Sequence, residues 1–102
     1  MNYPGTMDPE CIPLCDALNS LPGIHTRESC CGHGKHPHMV FFTAETVESL
    51  RPILQSTSSS GWHVEARWAN GGDTIYFMLE GPTGPPEMPG GANDLASWLD
   101  DN

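Results

Sequence analysis

Two alternating runs around one glycine-rich turn constrain this chain more than any other feature. Trp62, Val64, Ala66 and Trp68 alternate with His63, Glu65 and Arg67, and beyond Asn70-Gly71-Gly72-Asp73 the residues Ile75, Phe77 and Leu79 alternate with Thr74, Tyr76, Met78 and Glu80. Successive side chains of a strand point to opposite faces, so a period of two marks a strand covered on one side. Asn-Gly-type turns accept the positive φ that a tight hairpin needs. The pattern predicts a β-hairpin over 62–80 with Trp62, Val64, Trp68, Ile75, Phe77 and Leu79 against the core.

The remaining segments follow from breakers and spacing. Residues 1–9 read as a loose arm. A first helix is expected to start at Pro13, because proline is tolerated at the first helical position and clashes further in. Leu14, Ala17, Leu18 and Leu21 form its apolar stripe, and Pro22-Gly23 stops it. Ile24 to Cys30 reads as a short strand, residues 31–37 as a glycine-containing loop, and the apolar run His38 to Thr43 as a buried strand. Thr43 can cap a second helix over 44–55 in which Val47, Leu50 and Leu54 share a face, with a kink or early break at Pro52. Residues 56–61 read as a polar linker. Residues 81–91 form a Pro/Gly-rich linker to a short last helix, capped by Asn93, in which Leu95, Trp98 and Leu99 share a face. At 102 residues, the chain is long enough for one core and one domain, 1–102. The order α-β-β-α-β-β-α implies an α+β fold: a mostly antiparallel four-stranded sheet with helices on one face.

Charge narrows the function classes. Thirteen acids face only Arg27, Lys35, Arg51 and Arg67, for a net charge of −9. So few cations cannot neutralise many phosphates, which argues against autonomous nucleic-acid binding and against an anionic membrane surface. No apolar run approaches the ~20 residues that span a bilayer. The start, Met1 to Thr6, lacks the basic and apolar regions of a signal peptide. The expected location is the cytoplasm, where thiols stay reduced. An acidic surface suits a basic protein partner. Nothing in the pattern fixes the oligomeric state.

The chemistry is concentrated near the start. All four cysteines, Cys11, Cys15, Cys30 and Cys31, lie within the first 38 residues, as do all the histidines except His63. Thiolate and imidazole are the ligands zinc prefers. Cys11, Cys15, Cys30, Cys31 and His33 are therefore the candidate zinc ligands, with His36 and His38 as a second tier. Cys15 would sit in the first turn of the helix, where unpaired N–H groups and the dipole favour a thiolate. Pro13 argues against one continuous helix holding both Cys11 and Cys15. Gly32 and Gly34 let the chain turn around His33. The spacing lacks the Cys-x-x-Cys pair of common zinc modules. The blander reading makes Cys15 and Cys30 small buried apolar groups, and His36 and His38 solvated loop residues. A thiol nucleophile with His33 as base is a third reading. Chain reversal favours a shared site: a helix of about eight residues spans ~12 Å. A returning strand of about seven spans ~23 Å, which carries Cys30 back to the level of Cys15 or beyond.

The stretch from Asn19 to His33, with Ser29-Cys30-Cys31-Gly32-His33-Gly34 at its end, resembles a motif of small uncharacterised bacterial and phage proteins. More distantly it is similar to the start of the wybutosine-synthesis tRNA methyltransferase family, in which a helix, a glycine and a strand with threonine precede Ser-Ser-Cys-Ser-Gly-Arg. Thr26, Ser29, Cys30 and Gly32 match, whereas His33 stands at the arginine position. The resemblance covers about a quarter of the chain. The nearer likeness implies no activity, and the distant one implies S-adenosylmethionine-dependent modification of a tRNA base. The sequence therefore points to a small acidic metal-binding or protein-interaction module. The alternative is an enzyme, either a methyltransferase of this type or a Cys-His catalyst.

Overall fold

Leu14, Cys15, Ala17 and Leu18 fall on one side of the first helix, and that side is buried. In the computed structural model, which describes residues 11–30, 37–57, 61–69 and 74–101, helix α1 runs Ile12–Asn19. It starts one residue earlier than Pro13. Cys11 is its N-cap residue and Pro13 lies in the first turn, where the missing N–H would have had no intrahelical partner anyway. Pro13 therefore does not separate Cys11 from Cys15 as expected. The two stand one helical turn apart, both buried.

The described residues form four strands: β1 (Ile24–Cys30), β2 (Pro37–Ala44), β3 (His63–Ala69) and β4 (Thr74–Thr83). Their order is β1-β2-β4-β3, and all three pairings are antiparallel. Two hairpins thus lie side by side, joined through β2 and β4. The turn between α1 and β1 uses Gly23 at φ +78°, a conformation that costs glycine nothing, and its carbonyl accepts the Glu45 N–H at 2.8 Å. Asn19, the last residue of α1, accepts the Thr26 N–H at 2.9 Å and donates to the Thr26 hydroxyl at 2.7 Å. The end of α1 is thereby tied to the middle of β1.

The second helix departs from expectation. Thr43 belongs to β2, and Thr46 instead caps a 3-10 turn, Val47–Leu50, by accepting the Ser49 N–H. Helix α2 (Arg51–Thr57) follows directly. Proline again sits in a first turn, so the break foreseen at Pro52 takes the form of a change of helix type. A 3-10 turn advances about 120° per residue and an α-helix about 100°, which shifts the phase of the apolar stripe. Ile53 is fully buried, while Val47 is 84% exposed and Leu54 49% exposed. The expected face of Val47, Leu50 and Leu54 survives only at Leu50, which packs partly against the core.

The second hairpin is where expected, but its core side is covered only at one end. Trp62 and Leu79 are buried, and Val64 and Phe77 pack partly on the core. Trp68 and Ile75, paired near the turn, are 75% and 54% exposed. Alternation fixes which face a residue occupies, and only the reach of the helices decides whether that face is covered. β4 also runs on through Pro82 to Thr83, into what reads as linker. The close approach of backbone to an indole explains it: a Cβ at Gly81 would lie 2.5 Å from the ring of Trp62. Helix α3 (Ala92–Asp100) starts at Gly91 rather than Asn93, and Asp94 reaches back to accept the Gly90 N–H at 2.7 Å. Leu95 and Leu99 are buried with Ala92 and Ala96, whereas Trp98 is largely at the surface.

The three helices gather on one face of the sheet. Leu14, Leu18, Ile24, Val40, Phe42, Ile53, Leu79, Leu95 and Leu99 form the centre of the core. The α+β fold with its all-antiparallel sheet is the one the sequence implies. Among the described residues, no helix is long and apolar enough to cross a membrane.

Candidate functional site: the thiols of α1 and the end of β1

The geometry of the site starts with a fault in β1. Ile24 pairs with Ala44 and Thr26 with Phe42, but the register then shifts, so that Glu28 pairs with Phe41 and Ser29 with Val40. One extra residue in one strand is a β-bulge, and it reverses which side chains face the core. Without it, strict alternation would turn the Glu28 carboxylate toward the helices, where it would lose its hydration. With it, Glu28 is exposed and Ser29 comes opposite buried Val40. The Thr26 N–H at the bulge finds its partner in Asn19.

The bulge delivers Ser29 to α1. There the Ser29 side chain acts on the Cys15 thiol and favours its thiolate. The Cys15 thiol thus lies by Ser29, near the end of β1. Cys11 and Cys15 are four residues apart on one helical stretch, the spacing that stacks side chains on one face, and neither is in a disulfide. Cys30 ends β1, paired with Met39. The Cys30 side chain, Cys31, His33 and His36 lie outside the described residues.

The electrostatics of Cys15 differ from expectation. Burial pushes its thiol pKa up, with Asp16 adding to the rise, and the Ser29 side chain only partly opposes it. The first-turn position was expected to favour a thiolate. Desolvation wins, because removing water from a charge costs more than a helix terminus returns. A neutral buried thiol is a poor nucleophile. It is compatible with a metal ligand, which gives up its proton when the metal arrives.

His38 is where the strand reading of His38 to Thr43 put it, and the solvated-loop reading of this residue fails. It lies in β2, buried, with its ring 5.8 Å from that of Trp62 at 55°. His38, Val40 and Phe42 are the buried residues of β2, and Trp62 is held in turn by donating from Nε1 to the Gly90 carbonyl at 2.8 Å. Since Ser29 pairs with Val40, His38 is one step further along the covered face, toward the loop between β1 and β2. Its alternation with Val40 and Phe42 was the available signal. For Ser29 the signal was Glu28 itself, a charge falling where strict alternation would bury it.

The other described histidines are elsewhere. His25 pairs with Glu45 at 3.0 Å on the surface, and His63 lies 3.5 Å from Glu65 and 3.3 Å from Glu80. A shallow groove along the 3-10 turn and α2, lined by Val47, Glu48, Arg51, Leu54 and Gln55, is carried by different elements from the thiols. Among the described residues, no three Cys, His, Asp or Glu side chains come together as metal ligands. No family model, no curated protein and no solved structure matches this chain.

Proposed function

We propose that this chain is a small metal-binding module in which zinc joins the start of α1 to the segment after β1. Cys11 and Cys15 would come from the helix and Cys31 and His33 from the segment after β1, completing a tetrahedral site; Cys30, in register with Met39 on the other face of the sheet, is the reserve ligand. The observation that carries the reading is the shifted register of β1, which turns Ser29 to the face that the helices cover, where its side chain acts on the buried Cys15 thiol. It sets a helix thiol beside the strand end from which Cys31 and His33 follow. The reduced thiols this requires fit the cytoplasm.

Metal analysis of the purified protein tests the proposal. One zinc per chain, lost in Cys15→Ser and in His33→Ala, is the expected result. Metal-free protein that cannot be loaded with zinc, yet binds S-adenosylmethionine in calorimetry, would replace this reading with the methyltransferase one.

A further inference from the structure

The face of the sheet turned away from the helices carries its own apolar strip. Register puts Phe41 opposite Met78, and Met78 opposite Glu65 on the other side. The rings of Phe41 and Tyr76 are 5.8 Å apart and tilted by 59°, and Met39 extends the strip along β2. Met78 is buried within it, outside the cluster that forms the core under the helices. Arg67 lies over its sulfur, Nη2 to Sδ 3.8 Å, and is bound to Glu65 at 3.1 Å. Carboxylates border the strip on both edges: Glu28 on β1, and Glu65 on β3 with Glu80 on β4, the last two sharing His63 and Glu65 also holding Arg67.

We propose that this face docks a basic segment of a partner protein, one that presents arginine or lysine alongside apolar side chains. The argument is charge complementarity around an apolar centre. Aromatic residues and methionine are enriched at the centres of protein interfaces, and arginine stacks on aromatic rings. A second copy of this chain is a poor occupant, because it would set Glu28, Glu65 and Glu80 against their own kind within a chain of net charge −9. Nucleic acid is opposed by the same charge. Four strands at ~4.8 Å and about seven residues at ~3.3 Å give a plane of roughly 400 Å². That is the scale of a small, transient interface. The complex is therefore weak and sensitive to salt. This inference does not depend on zinc.

The test uses the whole chain, isotopically labelled, and two synthetic peptides of equal charge: one alternating arginine with leucine, one arginine with glycine. The expected result is amide shifts confined to β2, β3 and β4, at least fivefold tighter binding of the leucine peptide, and a loss of affinity of threefold or more between 50 and 300 mM salt. Phe41→Ser with Tyr76→Ser removes the preference for leucine. Glu28→Lys with Glu80→Lys leaves the Arg67–Glu65 pair over Met78 in place and abolishes binding of both peptides, which keeps the test decisive if the first variant does not fold. Equal affinity for the two peptides overturns the proposal. So do shifts centred on Val47 and Leu54, in the 3-10 turn and α2, or a dimer in sedimentation that is broken by Phe41→Ser.

Discussion

At the scale of single residues, Cys15 carries the most information. Burial raises its pKa above the ordinary value of 9.0, against the opposing effect of the Ser29 side chain. The folded state therefore holds a proton that the unfolded chain releases first. Stability from this group is fully present below about pH 9 and is lost as pH rises through the folded pKa. Metal-free protein is expected to show a falling melting temperature above pH 9, with a shallower fall in Cys15→Ala, as thermal melts across pH 7–10.5 will show. Ser29→Ala removes the group that favours the thiolate, so it should push the Cys15 titration higher still. Alkylation of Cys15 by iodoacetamide, followed by mass spectrometry, should then be slower than in wild type at pH 9. Faster alkylation would mean that Ser29 protects the thiol sterically and does not favour its thiolate.

At the scale of elements, two joints hold the frame of the site. The first is Asn19, whose side chain satisfies Thr26 at the bulge of β1. Asn19→Ala leaves a partly buried N–H without its acceptor, a loss of about 1–3 kcal/mol that denaturant melts will measure. The second is the seat of Trp62 over Gly81. The indole fills the space a Cβ would need, donates to Gly90 and packs on His38. Gly81→Ala must displace a large buried ring, at a cost of about 1–3 kcal/mol. Its effect should appear at Trp62, as a shift in tryptophan fluorescence, before it appears in the melt. A variant as stable as wild type would show that the strand, not the ring, gives way.

At the scale of the whole molecule, the proposed metal links the first helix to the first hairpin across the chain reversal. Metal bound only to the folded state stabilises by mass action: at a hundredfold excess over Kd the gain is about 2.7 kcal/mol. For a domain of this size each kcal/mol moves the melting temperature by roughly 4–8 °C. Adding zinc to metal-free protein should therefore raise the melting temperature by about 10–20 °C, and a chelator should reverse it. An unchanged melting temperature at saturating zinc would remove the structural role.

The sequence by itself determined the elements and their order. Alternation over 62–68 and 74–79, glycine and proline at Pro22-Gly23, and the apolar run from Met39 to Phe42 are local signals, and local backbone geometry answers to them. Helix rise and strand rise are fixed lengths, so the return of β1 alongside α1 was also legible. Tertiary structure alone decided the rest. The bulge that turns Ser29 inward depends on pairing with β2, a partner strand that β1 cannot specify. The burial of His38 depends on Trp62, which arrives from the second hairpin. Trp68 and Ile75 have the pattern of core residues and remain exposed, because periodicity sets the face of a side chain while coverage depends on where the helices end. The Cys15 thiol is protonated for the same reason: a helix terminus can be read from spacing, but desolvation is a property of everything packed around it.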